Sequence, residues 1–134
     1  MIILGTCVLS AAFRKGSMDS NDSTVQTLKQ MIIDDWPLAV PGIVYQEILT
    51  ALRSEQQIAR MVDLLEGFSV VLAKRDDHEL GARIRSHCLK RGIASSSIDC
   101  LIAAITINRN GRLFTLDRDF SRIAQVCHLK IFEA

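Results

Sequence analysis

The chain opens on Met1-Ile-Ile-Leu4, an uninterrupted aliphatic run that is followed by Gly5. Such a run before a glycine is typical of a strand that is covered on both faces, as the strands of parallel sheets are. Further short apolar runs alternate with longer helical patterns, and neither a repeat nor a shift in composition interrupts them. The alternation predicts an α/β fold whose parallel strands are joined by right-handed crossovers.

Periodicity and turn residues divide the chain into short strands and helices. The predicted strands cover residues 1–4, 38–40, 68–72, 113–116 and 129–132. The predicted helices cover residues 10–14, 22–35, 41–52, 55–65, 76–91, 97–108 and 118–126. Helix 97–108 is apolar on nearly every side and carries Asp99 as its one charge, so we expect it to be buried against the sheet.

Length and composition indicate one globular domain that spans residues 1–134. The chain is 49% hydrophobic and 23% charged, with a formal net charge of +1, which excludes the disordered class. No apolar run approaches the roughly 20 residues that cross a bilayer. The apolar segment 1–13 lacks the basic lead of a secretory signal, so we expect a cytoplasmic protein without a membrane partner.

The sequence offers little support for zinc or nucleotide sites. Four cysteines form no CxxC pair, and three histidines show no HExxH spacing, so we expect reduced cysteines that pack as small hydrophobic residues. The glycines build neither a GxGxxG nor a GxxxxGK[ST] loop, which argues against a nucleotide-binding enzyme.

Acidic residues follow the predicted strands. Asp117 and Asp119 come after the fourth strand, Asp99 opens the buried helix before it, and Glu47 lies in the helix after the second strand. Ligands of parallel sheets collect at the carboxyl ends of the strands, where such carboxylates would repel one another unless a cation lies between them. Oxygen ligands suit Mg²⁺ or Mn²⁺.

Each acidic residue also has a structural explanation. Ser96 and Asp99 have the spacing of a capping box, and Asp117 with Asp119 would cap the last helix. Glu47 would be an edge residue whose stem packs while its carboxylate reaches water. Each of these structural explanations is sufficient to account for one acid taken alone, but the four acids taken together suggest a metal site.

In the order and spacing of four segments, the sequence resembles the PIN-domain nucleases, and within them the VapC-type toxins of VapBC toxin–antitoxin pairs. The segments are MIILGTCVLS (1–10), VYQEILTALR (44–53), GIASSSIDCLIAA (92–104) and FTLDRDFSR (114–122). The resemblance covers essentially the whole chain. It implies a PIN-like three-layer fold in which helices flank a central, mostly parallel sheet of four to five strands.

The resemblance also implies an endoribonuclease that cleaves RNA phosphodiesters by metal-assisted hydrolysis, with Mg²⁺ or alternatively Mn²⁺ as cofactor. Glu47, Asp99, Asp117 and Asp119 match the family's catalytic and metal-binding acids, and Thr6, Ser97 and Thr115 match supporting hydroxyl positions. The implied partners are an RNA substrate, a VapB-like DNA-binding antitoxin and a second copy of the chain in a homodimer.

Gly5 departs from the family pattern, which has an aspartate at the end of the first strand. Altering even a residue that only orients a metal ligand typically costs about 10- to 100-fold in metal affinity or activity, so we expect an impaired or inactive chain. The alternative is an inert PIN-like module that binds antitoxin or RNA. Either the glycine is natural and catalysis has been lost, or it was introduced to disable a toxic nuclease, which the otherwise intact acidic set favours.

RNA binding near an acidic site requires surrounding cations, of which we expect about a third to contact phosphate. The candidates are Arg14, Lys15, Lys74, Arg75, Arg83, Arg85, Lys90, Arg91, Arg112, Arg118 and Arg122.

A separate apolar pattern in the helix 22–35 predicts a dimer surface. Its members are Val25, Leu28, Ile32, Ile33 and the nearby Trp36.

Overall fold

The computed structural model describes residues 1–13 and 21–133. Its sheet has four parallel strands in the order β3-β2-β1-β4. The strands are β1 (Ile2–Leu4), β2 (Leu38–Pro41), β3 (Ser69–Val71) and β4 (Arg112–Phe114). In the register, Ile3 lies beside both Ala39 and Leu113. The predicted α/β fold with a central parallel sheet flanked by helices is confirmed.

Seven helices are described. They are α1 (Thr6–Phe13), α2 (Ser23–Ile33), α3 (Gly42–Thr50), α4 (Glu55–Leu65), α5 (Arg75–Lys90), α6 (Ser97–Asn108) and α7 (Asp119–Ile123). Asp22 and Ser54 cap α2 and α4 by accepting hydrogen bonds from backbone N–H groups of the first turn. Gly92 follows α5 with a φ of 68°, a conformation that glycine adopts without steric cost.

The core lies between the sheet and the helices. All three residues of β1 are buried, as the continuous aliphatic run predicts. Helix α6 is buried along most of its length, and the expectation that it packs against the sheet is confirmed. Helix α5 packs closely on α6 because Gly81 has no side chain at the crossing: a Cβ there would come within 3.3 Å of Leu101 Cα.

Two predicted strand boundaries are wrong. The fourth strand ends at Phe114, and Leu116 is exposed. The predicted closing strand 129–132 forms only an isolated bridge between Leu113 and Ile131. Phe132 N–H still donates to Leu113 O at 2.8 Å. The apolar residues of this segment therefore pack beside β4 as predicted, but too few of them pair to make a strand.

Two predicted helix boundaries also differ. Helix α1 begins at Thr6 rather than at residue 10, because the chain turns into a helix directly after Gly5. Helix α7 ends at Ile123, where turns replace the rest of the predicted helix 118–126. Arg14 and Lys15, two of the predicted phosphate-binding cations, lie outside the described residues.

The apolar pattern of α2 serves the core more than a dimer surface. Val25 and Leu28 are buried, so they belong to the interior and are wrongly predicted as a contact surface. Ile33 remains 66% exposed, and Ile32 and Trp36 are also exposed. An amphipathic pattern alone does not distinguish a helix that faces its own sheet from one that faces a second chain.

The cysteines are free thiols, in agreement with the predicted reduced state. Cys88 and Cys100 are buried as expected, whereas Cys7 is exposed and Cys127 is partly exposed, so packing as hydrophobic residues holds for only two of the four. Within the described ranges, no helix has the length and apolar character needed to cross a membrane.

An ion pair that the sequence did not predict joins α5 to the end of α6. Arg109, just after α6, donates to both carboxylate oxygens of Asp77 at 3.0 Å, and Asn108 donates to Asp77 Oδ1 at 2.8 Å. Asp77 is buried, and burial alone would raise its pKa. The hydrogen bonds from Arg109, the Lys74 N–H and Asn108, with the charge of Arg109, outweigh burial and lower the pKa of Asp77 to about 2.

Candidate metal centre

The structure brings three of the predicted acids together. Asp99, Asp117 and Asp119 each place a carboxylate oxygen within 4.8 Å of the others, and all three residues are partly buried. Asp99 lies in the first turn of α6, whereas Asp117 and Asp119 follow β4. Acids that are 18 residues apart in sequence therefore converge at the carboxyl edge of the parallel sheet.

Local hydrogen bonds hold these acids in place. Ser96 Oγ accepts from Asp99 N–H at 3.0 Å, which fixes the first turn of α6. Thr115 Oγ1 accepts from Asp117 N–H at 3.1 Å, and Asp117 Oδ1 accepts from Asp119 N–H at 2.9 Å. The predicted capping role of Ser96 is thus confirmed. The predicted cap of the last helix by Asp117 and Asp119 is wrong, because the N-cap of α7 is Arg118 and no side chain caps that helix. The bonds of Ser96, Thr115 and Asp117 are compatible with clustering, because each fixes the backbone of an acid at the same edge.

Glu47 lies near this cluster but outside the group of three. Its Oε1 accepts a hydrogen bond at 3.0 Å from Thr6 Oγ1, the hydroxyl at the start of α1. Glu47 is partly buried on α3, and its negative charge acts on Asp99. The predicted supporting position Thr6 therefore contacts a predicted ligand directly.

Ser97 is placed differently from the other predicted hydroxyls. It is exposed and lines a groove between α5 and α6 together with His78, Ala82 and Arg85. The hydroxyl that contacts the Asp99 backbone belongs to Ser96, the residue before it. Among the predicted cations, Arg122 pairs with Asp119 at 2.7 Å.

The electrostatics of the site reflect converging negative charges. Burial raises the pKa of Asp99, and the charges of Asp117, Asp119 and Glu47 raise it further, while a hydrogen bond with Ser96 acts in the opposite direction. Carboxylates held this close disfavour one another's ionised form, and a cation between them removes that penalty.

Cys7 is a neighbour of the cluster that the sequence did not identify. The residue is exposed overall, but partial burial raises the pKa of its thiol, and the charges of Asp117, Asp99 and Glu47 raise it further, so the thiol stays protonated near neutral pH. It lies in the first turn of α1, and only the fold brings it near acids that are distant in sequence.

Gly5 follows the last residue of β1, at the carboxyl edge of the sheet where the acids converge. Its N–H donates to Phe114 O at 3.0 Å. A Cβ added there would lie 3.2 Å from Phe114 O and 3.5 Å from Thr115 Oγ1. Its φ is not positive, so the backbone does not require glycine. A side chain at position 5 would therefore fit after a shift of a few tenths of an ångström and would begin beside the hydroxyl that positions Asp117.

The donor set fits a hard divalent cation. Three carboxylates with oxygens within 4.8 Å of one another offer the oxygen ligands that Mg²⁺ and Mn²⁺ prefer. Gly5 contributes none, so the set lacks the carboxylate that the family pattern has at the end of the first strand.

Comparison with known proteins gives one family and many similar structures. The family model described as "PIN domain" matches residues 2–126. The structure is similar to that of FitAcB from Neisseria gonorrhoeae, with 21% identity over 99% of this chain and 97% of that chain and a TM-score of 0.78. VapBC2 from Rickettsia felis, bound to a DNA fragment from its promoter, has 20% identity over 98% of both chains and a TM-score of 0.79.

A third similar structure is VapC20 from Mycobacterium tuberculosis, which is described as a Sarcin-Ricin loop cleaving toxin. It has 19% identity over 91% of this chain and 94% of that chain, with a TM-score of 0.67. At such identities the three structures establish a shared fold.

Proposed function

The chain belongs to the PIN-domain family, and from this premise we propose that it is a VapC-type toxin, a Mg²⁺-dependent endoribonuclease that acts in the cytoplasm. The convergence of Asp99, Asp117 and Asp119 at the carboxyl edge of the sheet carries the proposal. Carboxylates that converge at the carboxyl edge of a parallel sheet form a candidate ligand site, and a divalent cation is the ligand that suits their oxygens.

In this proposal Asp99, Asp117 and Asp119 would hold Mg²⁺ or Mn²⁺, with Glu47 nearby and oriented by Thr6. When bound, the cation would supply activation of water and neutralisation of the negative charge of the phosphate. Ser96 and Thr115 fix the backbone of Asp99 and Asp117, so these carboxylates lie in place before RNA arrives.

Gly5 favours a second candidate function, an inert PIN-like module that binds antitoxin or RNA without cutting it. Position 5 lies at the carboxyl end of the central strand β1 and supplies no carboxylate. We therefore propose that the chain as it stands has little nuclease activity and that the remaining acids keep most of a metal site.

The proposed partners are a DNA-binding antitoxin of the VapB type and a second copy of the chain. The similar structures support the antitoxin, because several of them are toxin–antitoxin complexes. A small neighbouring reading frame that encodes a DNA-binding protein would be the candidate. Co-expression of this chain with that protein should yield a complex that survives purification. If the two co-expressed proteins are purified separately, the proposed pairing is contradicted.

Restoring the missing acid tests the function. Gly5→Asp should raise ribonuclease activity by at least about 10-fold over the parent chain, since it adds one ligand to the site. The assay is incubation with total RNA of the native host and Mg²⁺ or Mn²⁺, followed by detection of discrete fragments. EDTA should abolish cleavage.

Two variants control for steric and metal effects. Gly5→Asn has nearly the same shape as Gly5→Asp but no charge, and it should stay inactive. Asp99→Asn added to Gly5→Asp should remove the restored activity. If Gly5→Asp folds, binds metal more tightly than the parent and still cuts no RNA, the nuclease proposal fails and the binding module replaces it.

A further inference from the structure

A groove lies between α5 and α6, beside the acidic cluster, with a volume of about 420 Å³. We call it the α5–α6 groove; its lining includes Ile43, His78, Ala82, Arg85, Ile98 and Leu101. Its volume falls within the range of small-molecule pockets, so it has room for a group the size of one nucleotide.

Helices α3 and α6 each carry both a lining residue of the groove and an acid of the site. Ile43 and Glu47 are four residues apart on α3, so they lie on the same face of that helix, about one turn from each other. Ile98 directly precedes Asp99 in the first turn of α6. A strand of RNA whose phosphate lies at the acids would therefore pass over the groove with its next nucleotide.

The side chains of the groove combine an apolar wall with a cation. Ile43, Ile98 and Leu101 present aliphatic surface, and Ile98 is 40% exposed. Arg85 is partly buried in the wall, yet in the two ranges that the structure describes it makes no ion pair with a carboxylate. A partly buried guanidinium without an acidic partner is suited to phosphate, and the aliphatic wall is suited to the face of an unpaired base.

We propose that the α5–α6 groove binds an unpaired nucleotide of the RNA, next to the phosphate at the acidic cluster, and that Arg85 contacts the phosphate of that nucleotide. The inference rests on the proposed function, because it takes RNA as the molecule at the acids. Arg85 would thus make one of the phosphate contacts for which the sequence offers eleven candidate cations.

The test measures binding of a short fluorescein-labelled polyuridine strand by fluorescence anisotropy in EDTA, which prevents cleavage, over a series of KCl concentrations. Arg85→Ala should weaken binding about 10-fold, since it removes one charged hydrogen-bond donor. It should also reduce the slope of log affinity against log salt by about 0.7, the value for one phosphate contact of a single strand.

Two further variants separate charge from shape. Arg83→Ala is the matched control, because Arg83 is an exposed arginine of the same helix that does not line the groove; it should change affinity less than about 2-fold. Ala82→Trp should fill the groove from an exposed position and weaken binding without changing the salt slope. Circular dichroism verifies that each variant is folded.

Several results would overturn the inference. They are absence of polyuridine binding by the parent chain, equal effects of Arg85→Ala and Arg83→Ala, and unchanged binding in both Arg85→Ala and Ala82→Trp. If Ala82→Trp changes the mass measured by light scattering but leaves RNA affinity unchanged, the groove is a contact between copies of the chain instead.

The cleavage assay is independent of this outcome. If Gly5→Asp cuts RNA while Arg85→Ala binds as the parent does, the proposed function stands and the groove inference fails. If Gly5→Asp cuts nothing while Arg85→Ala and Ala82→Trp both lose binding, the nuclease fails and the groove is the nucleotide site of a binding module.

Discussion

At position 5 the backbone accepts a side chain, and the nearest atoms belong to the loop that carries Asp117. Mg²⁺ should bind weakly to the chain as it stands, because three carboxylates that leave the ion mostly hydrated rarely reach micromolar affinity. Gly5→Asp should tighten binding by at least about 10-fold and make thermal stability depend on Mg²⁺. Isothermal titration and melting with and without Mg²⁺ measure both effects.

Gly5→Asn is the control for this prediction, because it introduces the same contact with Phe114 O without a charge. It should leave the affinity for Mg²⁺ unchanged. A micromolar or tighter dissociation constant in the parent chain would contradict the prediction and would mean that the missing carboxylate is not needed for metal binding.

Asp77 should contribute to acid stability. Its pKa of about 2 in the folded chain lies below the ordinary aspartate value of 3.8, so its contribution is fully present above about pH 4 and is lost as the pH falls through 2. The shift corresponds to about 2 kcal/mol. Urea unfolding of the parent and Asp77→Asn at several pH values should show a difference in unfolding free energy that shrinks by about this amount between pH 7 and pH 2.

The matched control is Asp76→Asn, because Asp76 is the exposed neighbour of Asp77 in the first turn of α5. It should not reproduce the pH-dependent difference. A difference between parent and Asp77→Asn that is the same at pH 7 and pH 2 would contradict the assignment of this contribution to the ion pair with Arg109.

The sequence predicts the roles of some residues of the site and the contacts of others only poorly. The three clustered acids were predictable, because each follows a strand or opens a helix at the same edge of the sheet. The ion pair of Asp77 with Arg109 was not, because its partners are 32 residues apart and only the packing of α5 on α6 brings them together. Cys7 was missed because no short-range pattern relates it to the acids.

Helices α5 and α6 make the most extensive contact between two elements of the fold, and Gly81 lies at their closest approach. Gly81→Ala should lower the free energy of unfolding by about 1 kcal/mol, because a new Cβ would press on the backbone of Leu101. This loss would exceed the gain in helix propensity. Gly81→Val should cost more. Chemical denaturation followed by circular dichroism measures both changes.

Gly67 provides the comparison, since a Cβ there would meet nothing within 4 Å and its φ is not positive. Gly67→Ala should be neutral or stabilising by up to about 1 kcal/mol, through the reduced freedom of the unfolded chain. If Gly81→Ala is as stable as Gly67→Ala, the two helices have room to separate at the crossing.

Helices were predicted more accurately than strand ends. The bounds of α4 and α6 agree with the sequence because Ser54 and Ser96 cap them and their apolar patterns end clearly. Strand ends depend on pairing with a neighbouring strand, which local sequence does not reveal. The apolar residues 129–132 pack beside β4 but pair with it at a single bridge.

For the whole molecule we predict a homodimer. The exposed residues Ile32, Ile33 and Trp36, with Trp36 packed edge-to-face on Phe132, form an apolar surface outside the core. Ile33→Lys should raise the dimer dissociation constant by at least about 10-fold, because it places a charge in a buried contact. Light scattering over a range of concentrations measures the dissociation constant.

Leu89→Lys is the control, because Leu89 is similarly exposed at 62% but lies on α5, away from this surface. It should leave the dimer intact. A chain that stays monomeric at tens of micromolar, or one that loses the dimer only in Leu89→Lys, would contradict the choice of this surface.

The pairing of β1 with β4 joins the first residues of the chain to residues beyond 111. Because the central strand lacks one neighbour until β4 has been synthesised, a nascent chain cannot complete its sheet on the ribosome until most of its length has emerged. Contacts of such long sequence separation also slow folding. Since Asp117 and Asp119 follow β4, the acidic centre is assembled last, and truncated translation products of this chain would lack it.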